Sequence, residues 1–392
     1  MIPAARISAA IDILDDILAG NAAEQVLTRW ARANRYAGSG DRAAIRDLVF
    51  EAVRRMRSFA WLGGAGEGGP SGRALMIGAL RAEGQDPKDL FTGARFAPAP
   101  LSDEEAADAP SLAEAPRDIA LDCPAWLLTK FDAALGAQAE AVLRLMQSRA
   151  PVFLRVNLAR STRDEMVAAL ALDGVETAPH ALSPSALEVL SNPRRIANSQ
   201  AYADGLVELQ DAASQAIVDF LPLQDGQKIL DYCAGGGGKL LAMAARAKAQ
   251  FTAHDIDPRR MSDIAPRAER AAIPGITYAE PGAPKGTFDL VLCDAPCTGS
   301  GSWRRAPHAK WDLSEERLQE LCDIQAEVLD KACGFVAPGG VLAYATCSLF
   351  DQENEAQIAA FLKRHPEWKI VKSQTLTPLD GGDGFFCALL TR

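Results

Sequence analysis

The sequence predicts a multi-domain chain with three parts: an all-α domain at the start, a small α/β module in the middle, and an α/β domain with a mostly parallel sheet at the end. Three observations predict it. Residues 7–62 carry apolar positions at helical spacing. From Leu206 onward, apolar strand-like runs alternate with helix-like stretches, the pattern of a parallel sheet wrapped by helices on both faces. The length of 392 residues suits two or three domains at about 150 residues each.

The elements follow in order. Ile7, Ile11, Leu14, Ile17 and Leu18 share one helical face, and Ile45, Leu48, Val49, Ala52 and Val53 share another. Gly38-Ser39-Gly40-Asp41 breaks between them, with Ser39 or Asp41 expected to cap the second helix. Residues 63–72 are glycine-rich and read as a turn; 97–116 are rich in proline, alanine and acid and read as a surface linker. These make a first domain over 1–120. Residues 121–205 make the middle module: helices from Cys123, the β-rich run PVFLRVNLAR at 151–160, a helix near 162–171 and a β-α mixture. The last domain, 206–392, holds seven strand candidates: KILDYC, QFTAHDID, ITYAE, FDLVLCDA, GVLAYATC, WKIVKS and GFFCALLTR. Helices are expected near 239–248, 258–271, 314–335 and 351–364.

Composition narrows the function classes. Hydrophobic residues make up 48%, enough for a sizeable core. No window of ~18 apolar residues exists, so no membrane partner is expected. Asp12, Asp15 and Asp16 interrupt the first apolar run, which therefore reads as an amphipathic helix rather than an export signal. The eight cysteines form no C-x-x-C pair and the four histidines are scattered, so no metal is expected. The cysteines read as free thiols in a reducing cytoplasm. The net charge of −10 argues against a nucleic-acid partner, but residues 29–57 hold eight arginines against Asp41, Asp47 and Glu51, a local excess of five positive charges, with Trp30 and Tyr36 among them. Two readings stand: a solvated helix face, or a phosphate-binding face, since guanidinium forks match phosphate oxygens.

DYCAGGGGK (231–239) follows an apolar strand and opens a helix. Glycines let backbone N–H groups approach a ligand, and a helix start favours an anionic group. A phosphate-binding P-loop fails at Cys233 and at Leu240, and a dinucleotide fingerprint fails at Leu240. A loop for S-adenosylmethionine needs only the tight glycine turn. Asp255 lies 24 residues after Asp231, where an acid takes two ribose hydroxyls. The glycines and the acid are shared by NAD and S-adenosylmethionine enzymes.

Two further strands end in thiols: FDLVLCDAPC at Cys297 and GVLAYATC at Cys347. Adding a thiolate to carbon 6 of cytosine makes carbon 5 nucleophilic enough to attack a methyl sulfonium; a base then removes the carbon 5 proton and the thiol leaves. Ligand crevices form at the ends of parallel strands, where both cysteines sit, and Asp294 stands three residues before Cys297 to bind a base edge. Cys293, Cys322, Cys333 and Cys387 read as small apolar core residues.

DAPCTGSG with Arg304-Arg305, AKW at 309–311 and ATCS at 345–348 resemble the Nop/Sun family of RNA cytosine-5 methyltransferases. GLVELQDAASQ (205–215) and APVFLRVNLARSTRDE (150–165) resemble two more of its segments, and NRYAGSGDRAAIRDLVFEAVRR (34–55) resembles the NusB-like N-terminal domain of bacterial members acting on small-subunit ribosomal RNA. The resemblance spans nearly the whole chain. It implies a NusB-like all-α domain, an RNA-binding middle module and a Rossmann-like class I methyltransferase domain with a mostly parallel seven-stranded sheet. It implies Cys347 as nucleophile, Cys297 as the thiol assisting release, and Asp294 at the target base and near the cofactor methyl. Cys233, Ala234, Gly235, Gly236, Gly237, Gly238 and Lys239 would hold the methionine end of S-adenosylmethionine, with Asp255 on the ribose and Arg260 supporting it.

Two departures from the family pattern stand out. Gly235-Gly236 replaces the usual Ala-Pro, and the adenine-side aspartate is missing, with Glu280 its nearest substitute. The expected function is methylation of cytosine carbon 5 in RNA, 16S ribosomal RNA first. The alternatives are a catalytically weak, methyltransferase-like ribosome-assembly factor, the same chemistry on transfer RNA, and, more distantly, a NAD-linked oxidoreductase. The oligomeric state is left open, with a monomer favoured.

Overall fold

The computed structural model describes residues 1–65, 69–107, 110–279 and 284–392. The chain forms two compact units: Met1–Arg149 with Trp303–Asp312, and Ala150–Ser302 with Leu313–Arg392.

The first unit is helical. Its main helices are Pro3–Leu18, Ala23–Ala33, Ser39–Arg54, Met56–Leu62, Gly72–Ala82, Ala125–Leu135 and Ala139–Met146. Proline in the first turn of Pro3–Leu18 costs nothing, because its missing N–H has no intrahelical partner there. Ile13, Leu14, Ile45, Val49, Val53, Phe59, Leu75 and Ile77 pack into one buried core, as the helical spacing expects. Gly78 lets Gly72–Ala82 lie directly on Phe59, since a Cβ there would come within 1.8 Å of the Phe59 carbonyl oxygen. The expected cap at Ser39 or Asp41 is not formed. Gly38 occupies the cap position without a side-chain bond, and the Asp41 carboxylate is taken by Arg6 Nε at 2.9 Å, a charge-assisted bond that outcompetes a neutral one.

Residues 121–149 lie in this unit, past the expected cut at 120/121. Asp122 is the reason: its carboxylate accepts from the Ser58 N–H at 2.8 Å, the Ser58 hydroxyl at 2.7 Å and Gln147 at 2.7 Å. The segment 303–312 belongs here too. Trp303 packs edge-on against Phe131, with ring centroids 6.0 Å apart, and Trp311 Nε1 donates to the Val53 carbonyl at 2.7 Å. Arg304 donates to the Arg149 carbonyl at 2.8 Å, and Arg54 donates to the Arg304 carbonyl at 3.2 Å.

The second unit carries two sheets. The smaller is antiparallel, in order β2-β3-β1-β4, from β1 (Val152–Val156), β2 (Thr177–Pro179), β3 (Ala186–Val189) and β4 (Val207–Leu209). Leu154 stands opposite both Leu187 and Leu209, and Met166 and Leu170 of the helix Arg163–Leu172 close over this sheet. Thr162 and Glu165 cap that helix reciprocally.

The larger sheet has the seven expected strands: β5 (Lys228–Asp231), β6 (Gln250–Ala253), β7 (Thr277–Tyr278), β8 (Phe288–Asp294), β9 (Val336–Thr346), β10 (Lys369–Leu376) and β11 (Phe385–Thr391). Their order is β10-β11-β9-β8-β5-β6-β7, with β11 antiparallel to both neighbours and the strands from β9 to β7 parallel. Ile229, Leu230, Leu290–Leu292 and Leu342–Ala345 are continuous buried runs because helices cover both faces. Glu315–Ala332 and Glu355–Arg364 pack on one face, Ala212–Phe220 and Gly238–Ala244 on the other. The helix expected over 258–271 is split into a turn at Pro258–Met261 and Ile264–Arg270, where Pro266 is tolerated in the first turn. β5 pairs with β6 on one side and β8 on the other, so the topology reverses there and a crevice opens beyond the strand ends.

Candidate active site

The glycine loop joins β5 to the helix Gly238–Ala244. The Ala234 N–H donates to the His254 carbonyl at 2.8 Å, and the Gly237 N–H donates to the Ala234 carbonyl at 2.8 Å, closing a tight turn. Gly235 and Gly237 have φ of +48° and +79°, the left-handed region where a side chain is strained. A Cβ on Gly237 would also lie 2.8 Å from the Ile264 side chain, whereas one on Gly236 would meet only the end of Arg267 at 3.4 Å. Asp255 is buried past the end of β6. Its two oxygens accept from the Gly235 and Asp257 N–H groups, both at 3.0 Å, and Arg260 Nη1 stands 3.5 Å away.

One cavity of about 800 Å³ brings the expected residues together: Cys233, Ala234, Gly235, Gly236, Gly238, Lys239, Asp255, Arg260, Asp294, Cys297 and Cys347 all line it. Gly237 lies behind, shaping the turn. Glu280 lies outside the described residues. Sequence reasoning passed over other parts of the wall. Asp231, Gln210, Ile256, Leu321 and Ile324 line the cavity as well. Ile256 follows Asp255 directly and is 89% exposed, an apolar surface suited to the face of a purine. Leu321 and Ile324 come from the helix Glu315–Ala332, which carries no local signal of this role.

Asp231 tests whether the cavity suits the expected cofactor. Its Oδ1 is buried and has no hydrogen-bond partner among the described residues. Burial first, and the Asp294 charge second, push its carboxyl up to about 8. An orphaned carboxyl oxygen in a cavity with the glycine turn and Asp255 matches an amino-acid ammonium group at one end and a ribose at the other. The residues fit S-adenosylmethionine.

The Pro-Cys loop leaves β8 beside the end of β9. The Ala295 N–H donates to the Ala345 carbonyl at 2.8 Å, and the Gly301 N–H donates to the Cys347 carbonyl at 2.9 Å. The two sulfurs, Cys297 Sγ and Cys347 Sγ, stand 3.4 Å apart, hydrogen-bonded and too far apart for a disulfide. Lys239 Nζ pairs with Asp294 Oδ2 at 2.7 Å. Burial works against the Lys239 charge, but Asp294 holds it above the ordinary lysine range. The hydrogen bond between the two sulfurs pulls Cys347 below the ordinary thiol range; burial and Asp294 oppose this, and Lys239 assists it. The same hydrogen bond, burial, and the charges of Cys347 and Glu353 push Cys297 well up. Within the pair, Cys347 is the thiol that ionises first and Cys297 the one that keeps its proton longer. Cys293, Cys322, Cys333 and Cys387 are buried away from this cavity.

In the first unit, Arg32, Arg35, Arg42 and Arg46 surround Trp30 in a separate recess of about 420 Å³. Arg29 is paired with Asp16 at 2.6 Å, Arg46 with Glu24 at 2.5 Å, Arg54 with Glu51 at 2.9 Å, and Arg57 with Asp118. Arg32, Arg35 and Arg42 are exposed and make no ion pair among the described residues. No helix is long and apolar enough to cross a membrane, and no group of three or more His, Cys, Asp or Glu side chains is placed to hold a metal, both among the described residues.

Residues 218–390 match the family described as 16S rRNA methyltransferase RsmB/F, and residues 123–197 match the ferredoxin-like domain of the RsmF/B-like methyltransferases. Ribosomal RNA small subunit methyltransferase B of Yersinia pseudotuberculosis serotype O:1b (strain IP 31758) is 34% identical over 284 residues, covering 69% of this chain and 66% of that protein. The protein of the same name from Yersinia pestis gives the same figures. The chain thus spans just under two thirds of the length of these relatives. The solved structure of PH0851 has a TM-score of 0.78 at 23% identity, covering 100% of this chain and 99% of that one. NSun6 from Pyrococcus horikoshii, crystallised with SFG, has a TM-score of 0.61 at 17% identity, covering 68% and 98%. These two likenesses carry the fold, a Rossmann-like methyltransferase architecture. The matched segments 123–197 and 218–390, with the 34% identity, make this chain a member of the 16S rRNA methyltransferase RsmB/F family.

Proposed function

We propose that this protein methylates carbon 5 of cytosine in RNA, with 16S ribosomal RNA as the substrate and S-adenosylmethionine as the methyl donor, in the cytoplasm. The observation that carries the proposal is the 3.4 Å sulfur pair in the wall of the same cavity as the glycine turn, with Lys239 beside Cys347 and Glu353 beside Cys297.

Asp231, the turn 233–239, Asp255 and Arg260 would hold S-adenosylmethionine, which supplies an electrophilic methyl group. The Cys347 thiolate adds to carbon 6 of the cytosine, forming a carbon–sulfur bond and making carbon 5 nucleophilic. Asp294 accepts a hydrogen bond from the base edge, and the Lys239 cation paired with it offsets the negative charge the ring takes up. Once Cys347 is bonded to carbon it carries no charge, so Cys297 loses its proton to solvent more readily. Cys297 then takes the carbon 5 proton, and the Cys347–carbon 6 bond breaks, returning its electrons to sulfur. The basic recess of the first unit and the module over 121–205 would grip the RNA.

The test is adduct trapping. With S-adenosylmethionine and RNA, Cys297→Ala should accumulate a protein–RNA adduct stable on a denaturing gel, and Cys347→Ala should not. An adduct trapped by Cys347→Ala instead reverses the two roles. No tritiated methyl transfer by the unaltered protein to small-subunit RNA overturns the assignment.

A further inference from the structure

Below the two sulfurs lies a buried carboxylate that this mechanism does not use. Glu353 has no exposed surface and makes no ion pair among the described residues. Its Oε1 accepts from the Thr298 N–H at 2.8 Å and from Gln325 Nε2 at 3.0 Å. Its Oε2 accepts from the Thr298 hydroxyl at 2.5 Å and from the Ser348 hydroxyl. Backbone and amide N–H groups only donate, so this set suits an acceptor-only carboxylate.

The placement of these donors carries the argument. Thr298 follows Cys297, and Ser348 follows Cys347, so one side chain holds the residue after each cysteine. Gln325 also donates to the Pro296 carbonyl at 2.9 Å, on the other side of Cys297. Asn354 grips the second turn: Thr346 donates to its Oδ1 at 2.5 Å, and its Nδ2 donates to the Ser348 carbonyl at 3.0 Å. Both cysteines are therefore fixed from each side through Glu353 and its neighbours.

Charge adds a second observation. The titratable groups facing the pair are Lys239 from the glycine-loop helix, Asp294 from β8, Asp383 from the turn before β11, Tyr344 from β9, and Glu353. Tyr344 donates its hydroxyl to the Glu353 carbonyl at 2.7 Å. Asp294 and Asp383 raise the Cys347 thiol while Lys239 lowers it, and Glu353 raises Cys297. A neutral amide would span the same gap without the cost of burying an uncompensated charge, so a purely mechanical tie does not account for a carboxylate here.

We propose that Glu353 is a positioning residue that locks the sulfur pair in register, through Thr298 and Ser348, and keeps the shared proton on Cys297 so that Cys347 is the thiolate. This rests on Cys347 being the nucleophile.

The test uses the full chain without RNA or cofactor. Iodoacetamide modification of Cys347 and Cys297 is followed by mass spectrometry across pH 5–9, with melting temperatures to verify folding. The unaltered protein should alkylate Cys347 first. Glu353→Gln should raise the Cys297 rate at pH 7 by about tenfold, one unit of thiol pKa, and cut the preference for Cys347 in proportion. Glu353→Asp, which keeps the charge, should recover part of the preference. A folded Glu353→Gln protein with the original ratio overturns the proposal. If that variant does not fold, the double variant Thr298→Val with Ser348→Ala decides: loss of preference supports the proposal and an unchanged preference overturns it. Cys297 reacting first in the unaltered protein overturns both this inference and the nucleophile assignment. An intact preference that Glu353→Gln abolishes, in a protein that transfers no methyl group, supports this inference and overturns the functional reading alone.

Discussion

Lys239 and Asp294 form an ion pair of 2.7 Å that joins the start of the glycine-loop helix to the end of β8. The lysine is almost fully buried, so its charge is delivered to the two groups beside it, the aspartate and Cys347. Besides its expected place at the methionine end of the cofactor, Lys239 would serve the proposed reaction as counter-ion to a Cys347 thiolate.

Lys239→Met should move the pH dependence of single-turnover methyl transfer upward, since the Cys347 thiolate loses its cation. Each unit of upward shift lowers the rate tenfold wherever the pH lies below the thiol pKa, so the loss should shrink as pH rises. The measurement is the rate against pH with saturating S-adenosylmethionine; a uniform loss at every pH would instead mean that Lys239 only binds cofactor.

Asp231 gives a prediction of opposite sign for stability and binding. Its carboxyl is raised from 3.8 to about 8 in the fold, so the folded state holds a proton that the unfolded chain has released. The cofactor-free protein should therefore lose stability as pH rises from about 4 to about 8, and Asp231→Asn should remove that loss. The same substitution should weaken S-adenosylmethionine binding at least tenfold in calorimetry. A melting temperature at pH 8 no higher than that of the unaltered protein would contradict the first half.

The arginine recess predicts an RNA footprint on the first unit. Arg29 is already paired with Asp16, so Arg29→Glu should matter little. Arg32→Glu, Arg35→Glu and Arg42→Glu together should weaken RNA binding at least tenfold and flatten its salt dependence by roughly 0.9 log units for each phosphate no longer neutralised. Calorimetry should show cofactor affinity unchanged. A gel-shift titration with unaltered affinity would remove this face from the RNA site.

Gly237 and Gly236 separate conformational need from habit. Gly237→Ala places a β-carbon in the left-handed region and against Ile264, and should cost about 1–3 kcal/mol and cofactor affinity with it. Gly236→Ala should be tolerated. Thermal melts of the two variants with and without S-adenosylmethionine check the contrast.

Much of this was legible in the chain. Strand and helix alternation announced the larger sheet, because buried parallel strands are continuous apolar runs, and the cysteines sat visibly at the ends of two of them. What escaped depended on partners remote in sequence. Asp41 reads as a cap until Arg6, 35 residues earlier, claims its carboxylate. Glu353 reads as one more acid before a helix, because two of its donors, Thr298 and Gln325, lie 55 and 28 residues away. The Trp311 bond to Val53 spans 258 residues, so AKW reads as a continuation of the Pro-Cys motif when it belongs to the other unit.

That excursion has a practical corollary. The polypeptide passes from one unit to the other at 149/150, at 302/303 and again at 312/313. Three crossings stitch the halves together, and a single proteolytic nick between 149 and 150 leaves them joined. A chain truncated to begin at 150 would carry Trp303 and Trp311 with Phe131 and Val53 deleted, two indoles deprived of their seats. Dissecting this protein into a binding half and a chemical half requires excising and rejoining 303–312 as well as cutting at 149.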